Sequence, residues 1–394
     1  MENNDTLIFL VIFDKMCKQA KRSWTLILAT LCLAPAQGQL QSELNLPRAG
    51  DVIIKQQVEY KDPGRTGENV LWDFSQLDVV NDEYELVYST PDDTVIIGAE
   101  HTTQYHYVLR NDSLMLLGFD NQTTRLHNIQ PEVLLKFPFN HGDTIGSYFY
   151  AHGKYSNRLE LDVMGTTRTV ADSYGMMILP NKDTLKHVLR LRTIKYIAEN
   201  MNPITESYYE KLHSPLNISF DSIVQRLATD TVLFVVETFR WYEKGYRYPV
   251  FETVRSWQKY RSTKDYTFLN TAFFYPPQEH YYLDDDLENL ALLENFENEK
   301  HNEEIDVWAE LTYNIFPNPV KSTPLQVEIY LPVAANIRLQ MNNTMGNLVL
   351  NIDKGHHSAG TYNFQVNMNN LPVGNYALDI MINDKVIKGI VMKR

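Results

Sequence analysis

Short apolar runs recur at even spacing through about the last eighty residues of this chain, and they constrain its fold more than any other feature. Apolar and polar residues alternate within them, as at Leu325, Val327, Ile329 and Leu331, which is the period of a strand with one buried face. Pro, Gly, Asn or Asp bounds each run. The runs cover residues 325–331, 336–341, 347–352, 360–366, 375–382 and 385–392. They predict a small antiparallel sandwich of immunoglobulin-like type over residues 313–394.

The two ends of this segment carry different backbone signals. Pro317 and Pro319 lie near its start, where each fixes φ and removes a backbone donor, so the segment should begin as an extended edge or linker rather than a helix. A domain boundary is therefore predicted just before it. Near its end, Asn383 and Asp384 predict a two-residue turn that closes a hairpin between the last two strands.

The same segment resembles a known family, the type A C-terminal sorting domain of the type IX (Por) secretion system of Gram-negative bacteria. Five short motifs carry the resemblance, in the family's order and at its distances. The family usually has tyrosine at the position of Phe316, and aspartate and leucine at those of Asn343 and Thr344. The residues that match, called here the sorting-signal motif, are Phe316, Pro317, Asn318, Pro319, Gly346, Gly360, Tyr362, Leu371, Pro372, Gly374, Tyr376, Lys388 and Gly389.

The resemblance implies a signal for export. Such domains are recognised by an outer-membrane translocon and its sortase-like processing machinery, and are usually cut off after passage. The cargo is then released or fixed to surface lipopolysaccharide. An ordinary terminal β module that caps the fold or binds a partner is the alternative interpretation. The Pro-Asn-Pro entry and the lysine-rich last strand favour the sorting domain, because a bare sandwich needs neither.

The start of the chain indicates a secretory signal peptide. Residues 24–34 are apolar, follow a basic cluster at residues 18–22, and precede a run of small residues. This stretch is too short for a stable transmembrane anchor. We predict that residues 1–38 are removed on secretion, and that Met16 is a better start than the first methionine.

Both cysteines of the chain, Cys17 and Cys32, lie within this predicted signal peptide. The mature protein would therefore have no disulfides, no catalytic cysteine and no thiolate metal site. Its stability must come from a hydrophobic core, which residues 39–283 are numerous enough to build.

Residues 39–283, called here the body, predict a large antiparallel β domain. A hairpin is clearest at residues 105–118, where Asn111 and Asp112 separate two strand-like runs. The longest predicted pair is 232–242 with 246–260, and no convincing amphipathic helix is predicted before residue 284. Further strands are predicted at residues 70–74, 83–89, 93–98, 158–164, 166–172, 175–179, 188–197 and 204–211.

A strongly acidic segment lies between the body and residues 313–394, called here the tail. Residues 284–306 hold ten acidic residues and one basic residue, whereas residues 313–394 carry a net charge of +3. We therefore predict a solvated acidic linker over residues 284–312 in preference to one or two amphipathic helical turns. The body carries a net charge of −7, so nucleic acid is not an expected partner, because phosphate binding needs a cationic surface.

The sequence contains no local catalytic motif, so no catalytic, cofactor-binding or metal-binding residue is predicted. The aspartates at 284–286 could hold Ca²⁺, but adjacent carboxylates point in different directions and a solvated charge run is preferred. His101 and His106 are five residues apart, so they face opposite sides of a strand and cannot share a metal ion.

Three aromatic residues of the body, Trp241, Tyr246 and Tyr248, could form a platform on which sugars stack. Aromatic residues in strands more often pack a core, which is the preferred interpretation here. The sugar hypothesis requires Trp241 and Tyr246 to be exposed on one face. The body also resembles uncharacterised secreted proteins that carry the same sorting domain, a similarity that implies no activity.

Two functional classes remain open for the exported, secreted or cell-surface protein. In the first, the body is a non-catalytic binding or envelope protein with a glycan or protein ligand. In the second, it is an extracellular hydrolase that acts on polysaccharide or peptide. The absence of a local catalytic motif favours the first class.

Overall fold

The computed structural model describes residues 39–91, 94–205, 208, 218–261, 266–299, 307–321 and 324–394. The chain divides into two units, residues 1–37 and 38–394, and the described residues belong to the second. The predicted signal peptide, residues 1–38, therefore lies outside the described residues. The prediction of an all-β protein with a large antiparallel body is confirmed, because strands dominate both the body and the tail.

The described strands and helices are numbered along the chain. The strands of the body are β1 (Gln39–Leu40), β2 (Val52–Val58), β3 (Gly67–Asp73), β4 (Val79–Ser89), β5 (Ile96–Glu100), β6 (Thr103–Arg110), β7 (Ser113–Asp120), β8 (Thr124–Lys136), β9 (Phe139–Asn140), β10 (Thr144–Tyr155), β11 (Leu159–Ile178), β12 (Thr184–Pro203), β13 (Val232–Tyr242), β14 (Phe251–Tyr260) and β15 (Tyr266–Phe274). The strands of the tail are β16 (Thr312–Phe316), β17 (Leu325–Leu331), β18 (Ala335–Asn343), β19 (Leu348–His357), β20 (Gly360–Val366), β21 (Gly374–Ile382) and β22 (Lys385–Lys393). The α-helices are α1 (Ser42–Asn45), α2 (Phe220–Thr229) and α3 (Leu287–Glu299), and single 3₁₀ turns occur at Pro277–Glu279, Tyr281–Asp285 and Val307–Glu310.

Twelve strands of the body form a closed ring. Their order is β10-β8-β7-β6-β5-β4-β2-β15-β14-β13-β12-β11, and β11 pairs back with β10 from Thr144↔Val170 to Tyr155↔Leu159. Neighbours in the ring are antiparallel. Since side chains alternate across a strand, closure gives the body an inward and an outward face.

A long hairpin, β11 with β12, is the largest element of the ring. It replaces three separately predicted strands at residues 158–164, 166–172 and 175–179 with one strand of 20 residues. Register shifts after Ala171 and Gly175 keep this strand paired through the irregular positions that suggested breaks. Gly165 lies within this strand. Glycine is needed there because a Cβ would lie 2.1 Å from the carbonyl oxygen of Tyr196.

Strand β3 is not part of the ring, and it pairs in parallel with the last residues of β11. It brings Trp72 and Phe74 onto the outward face of the ring. The aromatic side chains of Trp72 and Phe74 each contact the indole of Trp241 edge to face, at centroid distances of 5.9 and 5.5 Å. Fully buried aromatic rings of this kind contribute several kcal/mol each through apolar burial, roughly 25 cal/mol per Å². The outward face of β13 is therefore part of a core.

The tail consists of two sheets around a core of its own. One sheet contains β16, β17 and β20, and the other has the order β19-β18-β21-β22. Tyr313 of β16 also pairs in parallel with Val70 of β3, so the first sheet continues the sheet of the body. The core between the two sheets contains Leu325, Val327, Ile329, Leu331, Ile337, Leu339, Met341, Leu378, Ile380, Ile382 and Val391.

Two predicted hairpin turns have the backbone geometry that their residues favour. Asn111 and Asp112 connect β6 to β7 with φ of 48° and 58°, and Asn383 begins the turn between β21 and β22 with φ of 48°. Asn and Asp tolerate this left-handed region better than other non-glycine residues. Local sequence pattern was sufficient to predict both turns.

Helix α2 was not predicted from sequence. Half of its ten residues are apolar, Ser219 caps its first turn by accepting a hydrogen bond from the backbone of Ser222, and Ile223 is fully buried. Most of the strand predicted at residues 204–211 lies outside the described residues. Within the described part of the chain, no helix is both long and apolar enough to cross a bilayer.

The first half of the predicted acidic linker is folded onto the body, which corrects the expectation of a solvated segment and of a solvated aspartate run. Helix α3 occupies residues 287–299, and Asp286, just before it, is completely buried. The guanidinium of Arg247 holds the Asp286 carboxylate with two hydrogen bonds of 2.8 and 2.7 Å. A buried bidentate partner compensates for the loss of water, which composition alone does not reveal. Residues 300–306 lie outside the described residues.

Candidate functional site

The first part of the sorting-signal motif joins the two ends of the tail. Asn318 extends its side chain along the edge of β22, donating from Nδ2 to the carbonyl of Ile390 at 2.8 Å and accepting at Oδ1 from the amide of Met392 at 2.9 Å. Pro317 and Pro319 have no backbone N–H, so the asparagine amide supplies the strand-like pairing that the flanking backbone lacks. Both prolines follow cis peptide bonds.

Phe316 ends β16 and is buried between the tail and the body. It pairs with Gln326 of β17, and the Nζ atom of Lys61, in the body, lies 5.1 Å from the centre of its ring. An aromatic ring beneath an ammonium group is attracted by the negative potential of the ring face. Phenylalanine therefore fills the position where the family usually has tyrosine.

The turn between β18 and β19 explains why Gly346 is required. Gly346 has φ of +81°, a conformation that favours glycine, and its amide donates to the carbonyl of Asn343 at 2.9 Å. The side-chain oxygen of Asn343 accepts from the amides of Met345 and Asn347 at 3.0 and 2.9 Å. An aspartate carboxylate could accept the same bonds, so asparagine preserves the turn where the family has aspartate.

The motif residues at the start of β20 fix one edge of the first sheet. Gly360 pairs with Leu331 and has φ of +144°. The hydroxyl of Tyr362 donates to the carbonyl of Ser358 at 3.0 Å, and its ring lies against that of His357. These contacts hold the chain as it turns into the strand.

The loop before β21 is tied to the strands on both sides. The hydroxyl of Tyr376 donates to the carbonyl of Pro372 at 2.5 Å, while Leu371 packs against the core and Gly374, with φ of +156°, begins the strand. The Nζ atom of Lys393 donates to the carbonyls of Met368, Asn369 and Leu371 at 2.6, 3.0 and 2.5 Å. The basic end of the chain thereby caps three backbone acceptors.

The last two motif residues lie on opposite faces of β22. Gly389 faces inward, where a Cβ would lie 2.7 Å from Cδ1 of Ile315, so close packing of β16 on β22 requires glycine. Lys388 faces outward and is exposed, as are its neighbours Val386 and Ile390. The outward face of β22 is therefore a part of the motif region that remains available for contact with another molecule.

A buried polar contact connects the tail to the body. The Nζ atom of Lys61 lies 2.6 Å from Oε1 of Glu328, on β17, and burial raises the pKa of Glu328 to about 7, although the charge of Lys61 opposes this rise. Beside it, the guanidinium of Arg65 lies 3.5 Å from the centre of the Tyr313 ring. Burial lowers the pKa of Arg65 to about 10.

The strand order, the two prolines at the start of the tail and the contacts of the motif residues together define a C-terminal export domain built from two sheets. Residues 314–393 match the family described as the secretion system C-terminal sorting domain, that of the Por system. The tail is thus a type IX sorting domain, and it directs the protein to export as a secreted or cell-surface cargo that interacts with the type IX secretion machinery. The match does not extend into the body, and no curated protein matches the chain.

The aromatic residues proposed to stack on sugars lie in packed clusters. Trp241 is fully buried among Trp72, Phe74 and Phe251, and Tyr246 packs against the same cluster. Tyr248 is buried with its hydroxyl bonded to Asp51 at 2.8 Å. The exposed platform that the sugar hypothesis requires is not formed by Trp241 and Tyr248, and their burial agrees with the preferred interpretation of a packed core, because β3 and the segments at one end of the ring cover these rings.

A group of charged side chains that sequence pattern did not predict lies inside the ring. Arg240 on β13 donates from Nε to Oε2 of Glu252 on β14 at 2.5 Å, and Lys55 on β2 donates to Glu100 on β5 at 2.7 Å. Burial alone would raise the pKa of Glu252, but the positive charges of Arg240 and Lys55 lower it overall. We call the space around these four residues the interior chamber. Their positions, from 55 to 252, give no local signal in the sequence.

A second polar cluster lies on the opposite side of β10 and β11. The ligand atoms of His152, Glu160 and Asp162 lie within 4.8 Å of one another, a spacing that a metal ion could use. Oδ1 of Asp162 already lies 2.8 Å from Nδ1 of His152 and accepts from the hydroxyl of Tyr150 at 2.7 Å. Both carboxylates have further interactions. Hydrogen bonding within the protein occupies Asp162 and Nδ1 of His152, whereas Nε2 of His152 is buried without a hydrogen-bond partner among the described residues.

Proposed function

We propose that the body is the passenger of the sorting domain and acts outside the cell as a non-catalytic binding protein. The predicted signal peptide would take the chain into the periplasm, and the sorting domain would then take it through the outer membrane. One observation on the sorting-signal motif carries the export step. Most motif residues make contacts within the tail, while the outward face of β22 is exposed.

That free face has a composition suited to recognition. Val386 and Ile390 are exposed, and the register places them opposite Met381 and Ala377 of β21, with Lys388 between them. Exposed apolar residues that share one face are typical of a protein-binding surface. We therefore assign this face as the part of the tail that contacts the secretion machinery.

Localisation of full-length and truncated protein tests the export step. Removal of residues 313–394 should leave the body in the periplasm, whereas the full chain should be found at the cell surface or in the medium. Fractionation would also separate released protein from protein retained with surface lipopolysaccharide. Equal surface levels of the two forms would contradict the proposal.

A point substitution tests the recognition face without removing the tail. Ile390→Ser should reduce export, because Ile390 is 74% exposed and the substitution alters the outer face rather than the core. Val80→Ser is the matched control, since Val80 is a 61% exposed apolar residue on a strand of the body. Both variants should unfold like the wild type. Equal export of both variants would exclude this face.

The binding role of the body rests on the interior chamber, where charged groups line a space enclosed by the ring. Its test is a binding screen with the whole mature chain, because α3 packs on the body and a segment ending at residue 283 would expose Arg247. A glycan array and a panel of small metabolites would distinguish a binding protein from one whose interior is inert.

A further inference from the structure

In β13 the outward-facing side chains are buried and the inward-facing ones are partly exposed, which is the reverse of a closed sheet with a packed interior. Val235, Glu237 and Phe239 face outward and are almost completely buried. Val236 and Thr238, between them, face inward and are only partly buried. The side chain of Arg240, also inward, is 44% exposed. A packed interior would give the opposite pattern, so the ring encloses solvent-accessible space.

Contacts across the ring show that these residues face its interior. Tyr242, two residues after Arg240, shares a buried cluster with Leu114 of β7 and Leu135 of β8, which lie on the opposite wall. Tyr107 of β6 is also on that wall. Burial raises the pKa of Tyr107, and the positive charge of Arg240 opposes the rise, so the two groups interact electrostatically. The chamber is therefore bounded on both sides.

The polar floor of the chamber offers a donor and an acceptor that solvent can reach. Glu252 and Lys55 are nearly inaccessible, with side-chain exposures of 8% and 6%, whereas Arg240 and Glu100 are more accessible. Among the described residues, Arg240 forms its hydrogen bond through Nε, so its two terminal amino groups can donate to a ligand. Glu100 uses Oε1 for Lys55, which leaves Oε2 as an acceptor.

Two valines and a threonine line the wall next to this floor. Val236 and Thr238 of β13 lie beside Val254 of β14, which is directly opposite Thr238 in the register. Tyr105 contributes an aromatic ring from β6, where burial, followed by the charge of Glu100, raises its pKa. The chamber thus places Val236 and Val254 beside a floor in which two positive and two negative charges balance, and Lys195, opposite Val236 in the register, is paired with Glu132 at 2.5 Å.

We propose that the interior chamber binds a zwitterionic amino acid or short peptide with an apolar side chain. Its carboxylate would accept from the terminal amino groups of Arg240, and its ammonium group would donate to Glu100. A ligand with no net charge suits a floor with no net charge, and paired charges in the ligand satisfy the donor and acceptor that the floor leaves open. The apolar side chain would lie against Val236 and Val254.

The proposal specifies a ligand for the binding role proposed above and does not depend on the export step. Isothermal titration of the mature chain, residues 39–394, with leucine and with the dipeptide Leu-Leu tests it and distinguishes the two sources of the head group. Glycine removes the apolar part, leucinamide removes the carboxylate, and N-acetyl-leucine removes the ammonium group. We expect leucine or Leu-Leu to bind at least tenfold more tightly than each of the three analogues.

Two variants connect binding to the chamber. Arg240→Met with Glu252→Gln removes the pair together, so no buried charge is left alone, and should weaken binding at least tenfold. Arg192→Met is the matched control: its side chain is 43% exposed, but it pairs with Glu237 on the outward face, where Arg255 still holds that carboxylate. Circular dichroism would establish that both variants fold.

Several outcomes would overturn the proposal. Absence of binding by both leucine and Leu-Leu would exclude this ligand class, while other hits in the metabolite screen would leave the broader binding role standing. Equal affinity for N-acetyl-leucine and leucine would contradict a role for Glu100. Equal loss of binding in the double variant and in Arg192→Met would show that the site lies elsewhere.

Discussion

The Nζ atom of Lys61 in the body lies 2.6 Å from Oε1 of Glu328 in the sorting domain, and the Glu328 side chain is only 2% exposed. The passenger and its export signal therefore share a buried contact between Lys61 and Glu328 as well as a strand pairing between Tyr313 and Val70. Separation of the body from the tail would return both side chains to water. The contact accordingly couples the stability of the tail to its attachment to the body.

The Glu328 carboxyl should make the stability of the protein depend on pH near neutrality. Burial raises its pKa from 4.5 to about 7, so the folded protein retains a proton that the unfolded chain has already lost. The stabilising contribution is complete below pH 4.5 and is lost as the pH rises through 7, by about 3 kcal/mol. Denaturant unfolding between pH 4 and 8 should show this loss in the wild type but not in Glu328→Gln.

Glu310→Gln provides the control for that experiment. Glu310 pairs with Lys186 at 2.6 Å, but its side chain is 35% exposed, so its contribution should be below about 1 kcal/mol. Wild type and Glu310→Gln should therefore have nearly parallel profiles of unfolding free energy against pH. A wild-type profile parallel to that of Glu328→Gln would contradict the assignment.

Asn318 should be required for stability of the tail. Substitution by alanine removes the bonds to Ile390 and Met392, and we expect a loss of about 1–2 kcal/mol in the free energy of unfolding. Asn375→Ala is the control, because Asn375 is exposed on β21. Thermal unfolding of the two variants measures the difference. Equal stability would show that the end of β22 is held by the backbone of Val320 alone, which donates to the carbonyl of Met392 and accepts from the amide of Arg394.

The tail illustrates what local sequence can predict. Its strands alternate at period two, its turns use Gly346 and Asn383, and its motifs occur in order, so fold and export role follow from short segments. The contacts that explain the motif are different in kind. Asn318 meets Ile390 from 72 residues away, and Gly389 meets Ile315 from β16, so only the folded chain reveals why those residue types are needed.

The closure of the body into a ring could not be predicted from local sequence. Closure of the ring depends on the pairing of β10 with β11 and on that of β2 with β15, which join distant segments. The burial of Trp241 depends on Trp72 and Phe74, brought across by β3, so strand periodicity could not decide which face was exposed. For the same reason the four charged residues of the interior chamber could not be grouped from their positions in the sequence.

Gly389 and Ile315 should behave as a coupled pair. Gly389→Ala would place a Cβ 2.7 Å from Cδ1 of Ile315, and we expect a loss of about 1–3 kcal/mol in the free energy of unfolding from overpacking. Ile315→Val removes that methyl group and should cost about 1 kcal/mol alone. The double variant should be more stable than the sum of the single effects predicts, which a double-mutant cycle measures. Additive losses would mean that the close approach has no energetic consequence.

Asp286 should anchor the start of the acidic segment, in contrast to the aspartate next to it. Asp286→Ala leaves the guanidinium of Arg247 buried without its bidentate partner, and we expect a loss of about 3–5 kcal/mol in the free energy of unfolding. Asp285→Ala, in the same run of aspartates but at an exposed position, should change that free energy by less than about 0.5 kcal/mol. Chemical denaturation of the two variants measures both effects. Similar small losses would indicate that the segment is a solvated linker after all, since a charge run without a buried member has no position-dependent cost.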